Sequence, residues 1–409
     1  MNWRPKVLAV APYCDGTDVG EAWCAYMWVQ ELSKSADVTL ITQERPNRKR
    51  LKDQLPDVTV VSRTEPSWAR IHERLNAMAK LSYPGFYFWA KKQIRQLINK
   101  GASFDIGHQF SPIALRFPSP LKAFDLPYVI GPLGGSLSTP CEFQKECKSA
   151  PWYTHFRNID KWRLALDPTL KQSYRRASAV LGVAPYVKEL IGDSNIQRFE
   201  VMSELGVEQL NHARVDSKRR GIRLLHIGRG VRTKGLRDSI RALAFVKDIP
   251  GIHLDVAGEG EEMAVCKQLA KELSVIHLIT FHGQISRAQV DDLYRQADIF
   301  CFPSFREPSG SVIFEALSFG LPSIVANRGG PGFVIDDSCG FKIDIAAPDT
   351  FARQVASAIR TLATMPELRK RLSHGAYSKI STIGLWPSKI ANLLDLYQSI
   401  LNPVQPERR

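Results

Sequence analysis

The sequence contains no long hydrophobic run. Nowhere do about 18 apolar residues follow one another, so the sequence predicts no helix that crosses a bilayer. The first apolar stretch, residues 7–11, is short and leads directly into Pro12, which indicates a first β-strand rather than a secretory signal peptide. With 44% hydrophobic and 23% charged residues, the composition is typical of a folded globular protein and excludes a disordered chain.

Paired cysteines and metal-binding motifs are also missing. The seven cysteines are odd in number and scattered, and no C-x-x-C pair occurs, which argues against a zinc ribbon and a disulfide framework. There is no H-E-x-x-H motif and no Asp-x-Asp triplet, so we expect no metal site. These absences favour a reducing compartment, and we predict a cytoplasmic protein.

Acidic residues are in deficit. The chain has 41 Asp and Glu against 55 Lys and Arg, which gives a formal net charge of +14. Residues 1–200 hold 28 basic and 19 acidic side chains, and residues 201–409 hold 27 and 22, so the first half carries the larger excess. A basic protein suits an anionic partner, and on charge alone nucleic acid, a membrane surface and a phosphorylated small molecule all stay open.

The first half of the chain shows the alternation of a parallel α/β domain. Strand 7–11 is followed by a loop with Gly16 and Gly20, a helical segment and a second strand at residues 38–41, which is a βαβ unit. Similar short apolar strands recur at residues 58–61, 104–107, 128–131 and 179–183. We therefore predict one α/β domain over residues 1–205.

The alternation of strands and helices stops after residue 205 and resumes at residue 222. Residues 206–221 end in the basic stretch 218–220 and are predicted to be a linker. A second α/β domain follows over residues 222–385, with strands expected at 222–227, 252–257, 276–282, 299–303 and 322–326. Residues 386–409 show apolar residues at a spacing of three and four, which predicts a closing amphipathic helix and tail.

Two loops of the second domain suit phosphate groups. Residues 228–235 follow a strand and interleave glycines with Arg229, Arg232 and Lys234, so that backbone amides and cations can approach the same oxygens. A basic surface turn is the alternative. The helix predicted to start near Gly310, with Ser309 or Ser311 as its cap, offers free amides to a second anion.

Two carboxylates flank that helix start. Glu307 lies in the preceding loop and Glu315 in the early turns of the helix. A carboxylate beside a nucleotide can accept both ribose hydroxyls, as the acidic residue of dinucleotide-binding folds does. The alternatives are that Glu315 complements the helix dipole and that Glu307 is a solvated loop residue.

Together, the order and spacing of these clusters resemble the retaining glycosyltransferases of the GT-B fold, glycosyltransferase family 4, over essentially the whole chain. The carrying residues are Gly228-Arg229, Lys234-Gly235, Gly258-Glu259-Gly260, Ala297-Asp298-Ile299-Phe300 with Pro303-Ser304, the E-x7-E pair Glu307 and Glu315, and Gly320-Leu321-Pro322. The resemblance implies an α/β architecture of two Rossmann-like domains that face each other across a cleft, with the C-terminal helix crossing back to the first domain.

The resemblance also assigns roles to residues of the second domain. Arg229 and Lys234 match the pair that grips the donor diphosphate, and the amides near Gly310 and Ser311 match the helix start under the phosphates. Glu315 matches the acid that holds the nucleotide ribose. Glu307 matches the acid near the hydroxyls of the transferred sugar.

In the first domain, Gly16 and Gly20 match a glycine loop that faces the diphosphate, and His108 matches an active-site histidine that follows a strand. The implied activity is metal-independent, retaining transfer of a hexose from an NDP-sugar to a glycan or lipid-linked acceptor, in polysaccharide or glycolipid biosynthesis. No resident cofactor is implied. A GT-B epimerase, a non-catalytic sugar-nucleotide-binding partner and, less favoured, a nucleic-acid-binding protein are the alternatives.

One segment of the first half suggests a membrane surface. Residues 83–100 place aromatic residues beside Lys91, Lys92, Arg95 and Lys100, which is typical of a helix that lies on anionic lipid. A second basic and aromatic stretch covers residues 152–163. The alternative is an ordinary helix that packs its apolar face on the core and leaves its basic face in water. We predict peripheral contact with an anionic membrane and no nucleic-acid partner.

Overall fold

The computed structural model describes residues 3–46, 48–68, 80–147, 158–192, 195–211 and 221–403, with backbone alone for residues 158–161. The chain forms two compact units. The first unit contains Met1–Ser136, Trp152–Glu204 and Lys389–Arg409, and the second contains Leu137–Pro151 and Leu205–Ser388. The chain therefore passes from one unit to the other four times.

The described part of the first unit is built on a seven-stranded sheet in the order β3-β2-β1-β4-β5-β6-β7, and every neighbouring pair is parallel. The strands are β1 (Lys6–Val10), β2 (Asp37–Glu44), β3 (Thr59–Thr64), β4 (Ile106–Gln109), β5 (Tyr128–Leu133), β6 (Ala179–Gly182) and β7 (Phe199–Val201). The helices are α1 (Glu21–Ser33), α2 (Leu51–Gln54), α3 (Tyr83–Asn99), α4 (Asn158–Leu166), α5 (Pro168–Arg176) and α6 (Tyr186–Ile191), with a 3₁₀ turn at Pro120–Ala123.

The sequence identifies the central strands of this sheet because both of their faces are buried. Residues 7–10 of β1 have no exposed surface, as a strand covered by helices on both sides requires. The edge strand β7 is missed because it is three residues long and only half-buried, so it lacks the apolar run that marks the others.

The second unit contains a six-stranded parallel sheet in the order β10-β9-β8-β11-β12-β13. The strands are β8 (Arg223–Ile227), β9 (His253–Ala257), β10 (Ile279–Gly283), β11 (Ile299–Phe302), β12 (Ser323–Ala326) and β13 (Gly340–Ile343). The helices are α7 (Leu236–Phe245), α8 (Glu262–Glu272), α9 (Arg287–Gln296), α10 (Ser311–Ser318), α11 (Gly329–Val334), α12 (Pro348–Thr364) and α13 (Pro366–Ile383), with 3₁₀ turns at Cys141–Cys147, Arg232–Lys234 and Ile276–Leu278.

Two details of this sheet differ from the prediction. The segment predicted as a strand over residues 276–282 begins as the turn Ile276–Leu278, and the strand proper starts at Ile279. Strand β13 is not predicted, because only the first and last of its four residues are buried and it contains an exposed lysine, Lys342.

The predicted first domain, 1–205, is wrong over residues 137–151, which belong to the second unit. Phe143 is fully buried in the core of that unit, and its ring stacks on Phe305 with the centroids 4.2 Å apart. An apolar side chain removed from water in this way attaches its segment to the unit that buries it.

The predicted linker over 206–221 is also wrong over residues 206–211, which belong to the second unit. The Val207 amide donates to the Gly384 carbonyl at 2.9 Å, and the Trp386 amide donates to the Val207 carbonyl at 3.2 Å. A Cβ on Gly206 would lie 2.6 Å from the Trp386 ring, so the glycine lets the indole pack on the backbone. The remainder of the predicted linker, including its basic stretch, lies outside the described residues apart from residue 221.

The closing helix α14 (Trp386–Leu401) starts in the second unit, and from Lys389 onward its residues belong to the first. Lys389 is almost completely buried there. Its ammonium donates to the Ser203 carbonyl at 2.6 Å and lies 4.7 Å from the centroid of the Trp28 ring. Burial lowers the pKa of Lys389 to about 7, although the charge of Glu204 opposes the shift.

Helix α3 buries most of the aromatic residues that suggested a membrane surface. Tyr83, Phe86 and Tyr87 lie in the core of the first unit, whereas Phe88 is 69% exposed. Within the described part of the chain, no helix combines the length and the apolar character needed to cross a membrane.

We predict that Phe143→Ala destabilises the protein by about 3–5 kcal/mol, because it opens a cavity in the core of the second unit. Chemical denaturation of the full chain measures the change. The control Phe88→Ala removes an exposed ring of the same size and should change the free energy of unfolding by less than about 0.5 kcal/mol. Equal effects of the two substitutions would contradict the assignment of residues 137–147 to this core.

Candidate active site

The candidate site of the second unit lies at the carboxyl ends of its parallel strands. The loops that follow β8, β9, β11 and β12 meet at this edge of the sheet, where ligands of open α/β sheets bind. Four glycines let the loops after β8 and β9 approach each other closely. A Cβ at Gly258 would lie 1.9 Å from the Gly228 carbonyl oxygen, and a Cβ at Gly260 would lie 2.4 Å from that of Gly230. These glycines therefore serve loop packing.

The three cations of the loop after β8 have different surroundings. Arg229 is exposed, and no ion pair or side-chain hydrogen bond engages it among the described residues. Arg232 is buried and forms paired hydrogen bonds with Asp238, at 2.6 and 3.0 Å. Arg232 is therefore not available to a phosphate, so of the three cations in this loop only Arg229 and Lys234 remain as candidates for phosphate contact.

Lys234 contacts one of the two predicted carboxylates. Its ammonium donates to Oε2 of Glu307, and both side chains are largely buried. Gly235, which follows in a left-handed conformation with φ of 83°, begins helix α7. A Cβ there would lie 2.3 Å from the Pro303 carbonyl oxygen, so this glycine lets the loops after β8 and β11 meet. The structure thus brings Lys234 and Glu307 together from positions 73 residues apart.

Helix α10 begins one residue later than a serine cap at 309 would place it. Its cap is Gly310, in the left-handed conformation with φ of 87°, and no side chain caps the helix. The expected cap at Ser309 or Ser311 is therefore wrong. The first amides of the helix have no intrahelical partners, as at any helix start, and the positive end of the dipole lies beside Glu307.

Glu315 lies within α10 and meets an arginine that the sequence did not single out. Arg287, the first residue of α9, donates from Nη1 to Oε2 of Glu315 at 2.8 Å. Burial raises the pKa of Glu315 above its ordinary value, and the charge of Arg287 opposes the shift. The sequence feature that could have pointed to Arg287 is the start of its helix, because Ser286 and Gln289 form a capping box around it.

In the first unit, the glycine loop is shaped by its own side chains. The amide of Gly16, a residue of the loop expected to face a diphosphate, donates to Oε1 of Gln54 at 2.8 Å, and a Cβ there would lie 2.7 Å from the Tyr26 ring. Gly20 is in the left-handed region, with φ of 66°, and caps helix α1. The Gly16 amide is thus already used within the loop, and the predicted role of Gly16 and Gly20 beside a diphosphate stays a prediction.

His108 does not reach any surface. The side chain is fully buried, and its ring stacks on Phe110 with the centroids 3.8 Å apart. Both ring nitrogens are hydrogen-bonded, Nδ1 with the Tyr397 hydroxyl at 2.5 Å and Nε2 with the Gly131 carbonyl at 2.8 Å. The predicted active-site role of His108 is therefore wrong, because a substrate cannot contact this imidazole.

The described residues hold no group of three or more His, Cys, Asp or Glu side chains placed to bind a metal ion. Charged groups at the carboxyl edge of the second sheet include Arg229, Lys234, Glu307, Glu315 and Arg287. Two cations beside a helix start can hold phosphate oxygens, and the two carboxylates can accept hydrogen bonds from hydroxyl groups.

Comparison with known proteins finds relatives of this part of the chain. Residues 208–379 match the family model described as glycosyl transferases group 1, which covers every one of these charged residues. The lipopolysaccharide core biosynthesis glycosyltransferase LpsE of Rhizobium meliloti is 28% identical over 224 residues, which are 53% of this chain and 63% of LpsE. The chain thus spans less than two thirds of that relative's length.

Solved structures share the fold over nearly the whole chain. A glycosyltransferase from Rickettsia africae ESF-5 aligns with a TM-score of 0.65 and 18% identity, covering 98% of this chain and 100% of that one. Anabaena HepE, solved with UDP and glucose, aligns with a TM-score of 0.62 and 18% identity, covering 97% and 100%. The fold is accordingly that of the GT-B glycosyltransferases, with two Rossmann-like domains.

The burial of His108 predicts a pH dependence of stability. Desolvation lowers its pKa from 6.5 to about 3, so between these values the unfolded chain binds a proton that the folded chain does not. The contribution of His108 to the free energy of unfolding is therefore fully present above pH 6.5. It falls on acidification by about 1.4 kcal/mol per pH unit. Urea denaturation between pH 6 and 4 should show a shallower slope for His108→Phe, which keeps a ring beside Phe110.

The control is His277→Gln, which replaces an exposed histidine. Its slope of stability against pH should equal that of the wild type. If His108→Phe also keeps the wild-type slope, His108 is not buried in its neutral form.

Proposed function

We propose that this protein is a retaining glycosyltransferase that transfers a hexosyl group from an NDP-sugar to a glycan or lipid-linked acceptor. The proposal rests on one observation: within the segment that matches the group 1 glycosyl transferases, exposed Arg229 and the Lys234–Glu307 pair lie on loops beside the start of helix α10. Cations and free amides suit the diphosphate of the donor, and the carboxylate suits its sugar hydroxyls.

The chemical step develops negative charge on the β-phosphate as the bond between the anomeric carbon and the phosphate oxygen breaks. Arg229, Lys234 and the first amides of α10 stabilise this charge, and each such preorganised donor contributes about 3 kcal/mol in the transition state. Arg229 and Lys234 supply the charge neutralisation for which other glycosyltransferases use a divalent ion, so the proposed reaction is metal-independent.

Retention of configuration follows from a displacement on one face of the sugar. The leaving phosphate oxygen takes the proton of the acceptor hydroxyl while the acceptor oxygen forms the new bond to the anomeric carbon. This step needs no covalent nucleophile from the protein. Glu307, held by Lys234, accepts hydrogen bonds from sugar hydroxyls, and Glu315, oriented by Arg287, accepts them from the ribose.

Relatives give the proposal a substrate class. LpsE acts in lipopolysaccharide core biosynthesis, and HepE was solved with UDP and glucose. We propose by analogy a uridine-diphosphate sugar as the first donor to test and a surface polysaccharide or glycolipid as the product, made in the cytoplasm. The nucleic-acid alternative receives no support, since the fold and the matched family are those of sugar-transferring proteins.

Peripheral contact with an anionic membrane is part of the proposal. It rests on the exposed face of α3 alone. Phe88, Lys92 and Arg95 are exposed at a helical spacing of four and three on α3. An exposed aromatic ring beside two cations suits the headgroup region of anionic lipid. The buried aromatic residues of the same helix take no part.

Arg229→Ala and Lys234→Ala should each lower kcat/KM for the NDP-sugar by about 100-fold, because each removes one cation from the developing phosphate charge. Initial rates of sugar transfer, measured in the presence of EDTA, test this expectation. Arg371→Ala removes an exposed arginine of the same unit, remote in sequence from these loops, and is the matched control with wild-type activity.

Near-wild-type transfer by Arg229→Ala and Lys234→Ala would refute the diphosphate assignment. Turnover of the sugar nucleotide without an acceptor, with a changed sugar in the product, would identify an epimerase instead. Binding without any turnover would identify a non-catalytic partner.

The double substitution Lys92→Glu with Arg95→Glu should abolish flotation with vesicles that contain phosphatidylglycerol, since it reverses the charge of the exposed face of α3. The wild type should float at low salt and dissociate as salt rises. Lys370→Glu with Arg371→Glu changes the net charge equally on the second unit and should leave flotation intact. A wild-type protein that stays in the soluble fraction at low salt contradicts the membrane contact.

A further inference from the structure

Residues 137–147 form a segment of unusual placement, which we name the brace segment. The chain on either side of residues 137–151 belongs to the first unit, yet the brace segment is part of the second unit. It makes contacts with three separate loops, those that follow β8, β11 and β12. These loops include the ones that carry Arg229, Lys234 and Glu307.

The start of the brace segment contacts the loops after β12 and β11. Arg328 donates from Nη2 to the carbonyl and the hydroxyl of Ser138, both at 3.0 Å, and Arg306 donates from Nη1 to the Thr139 hydroxyl at 2.8 Å. Leu137 reaches the backbone at Gly329, where a Cβ would lie 3.0 Å from one of its methyl groups. Arg306 is the immediate neighbour of Glu307, so this contact lies next to the candidate site.

The end of the brace segment contacts the loop after β8. Glu146 accepts from Nε of Arg232 at 2.7 Å and from Nη2 of Arg241 at 2.8 Å, while Asp238 accepts from Nη1 of Arg232 at 2.6 Å. The guanidinium also lies 5.2 Å from the ring of Phe143 and 5.0 Å from that of Phe305. Arg232 is thereby held by two carboxylates and two aromatic rings.

Fixing Arg232 fixes Lys234, because both belong to one 3₁₀ turn of three residues. The Lys234 amide donates to Val231 at 3.0 Å, and the Thr233 carbonyl accepts from the Ser304 hydroxyl at 2.9 Å. A short turn held at its first residue and at its second positions the backbone of its third, from which the Lys234 side chain extends to Glu307. The position of the Lys234 ammonium therefore depends on the contacts of Arg232.

We propose that Glu146 is a positioning residue for the donor diphosphate, acting through Arg232 on the turn that carries Lys234. The inference rests on the proposed function and deepens it. The brace segment lies in the sequence between two stretches of the first unit. In this proposal it positions the loop of the second unit that binds the phosphates. Arg232 itself touches no phosphate.

The charge of Glu146 is essential to this arrangement. Burial alone would raise the pKa of Glu146, yet hydrogen bonds and charges from Arg241 and Arg232 lower it to about 2, so the side chain is ionised at every physiological pH. Glu146→Gln keeps the shape and removes the charge. Arg241 and Arg232 then share Asp238 alone, and Arg232 loses one of its two ionic partners.

The test compares binding of UDP with binding of UMP by titration calorimetry, and uses the guanosine and adenosine pairs if the uridine pair does not bind. A misplaced Lys234 weakens contact with the second phosphate, which UMP lacks. Glu146→Gln should therefore bind UDP about tenfold more weakly while its affinity for UMP stays within about twofold of the wild type. A purely structural role would not change the ratio of the two affinities.

Glu142→Gln is the matched control. It removes the same charge from an exposed position in the same 3₁₀ turn of the brace segment and should keep the wild-type ratio. Glu146→Asp retains the charge on a shorter side chain, and it is the variant to use if Glu146→Gln does not fold. A reduced UDP to UMP affinity ratio in Glu146→Asp supports the inference.

The outcomes separate the inference from the proposed function. If the wild type binds no nucleoside diphosphate, the proposed function fails. If the wild type prefers UDP over UMP and the folded Glu146 variants keep that preference unchanged, the proposed function stands and the role of Glu146 is refuted.

Discussion

The buried ion cluster around Arg232 is the interaction on which the candidate site depends. Its guanidinium is almost fully buried between Asp238, Glu146 and two phenylalanine rings. An arginine removed from water is tolerable only when its donors are paired, so the cluster commits its neighbours to one geometry. Those neighbours are the turn that carries Lys234, the helix that carries Asp238 and a segment from the first half of the sequence. Electrostatics and close glycine contacts thus align loops that lie far apart along the chain.

The cations at this edge of the sheet have different roles. Arg232 is structural, Lys234 is held against Glu307, Arg287 orients Glu315, and Arg229 is exposed. A preorganised site of this kind stabilises charge in a reaction without first having to rearrange its own dipoles. The net charge of +14 that marks the sequence therefore has little to do with this site, where most cations already have acidic partners. The excess belongs mainly to the first half of the chain.

Sequence reasoning predicted the local features well and the distant contacts poorly. Short stretches of sequence contain the apolar strands, the glycine loops and the seven-residue interval between Glu307 and Glu315. The two parallel sheets and the loops at their edge could therefore be predicted. The position of Phe143 in the second unit could not, since nothing local shows which core buries a lone aromatic residue. The active-site role predicted for His108 was wrong for the same reason. Its partner Tyr397 is 289 residues away, and only the folded chain shows that both ring nitrogens are used. The task of Arg232 depends likewise on Glu146, 86 residues earlier.

The central claim is that the second unit holds a nucleoside diphosphate with protein cations in place of a metal. Phosphorus NMR of the wild-type protein, titrated with UDP, GDP and ADP in the presence of EDTA, tests it most directly. The account predicts that one of the three binds and that its β-phosphorus resonance shifts more than its α-phosphorus resonance. Absence of binding by all three, or binding that appears only when a divalent ion is added, would contradict it.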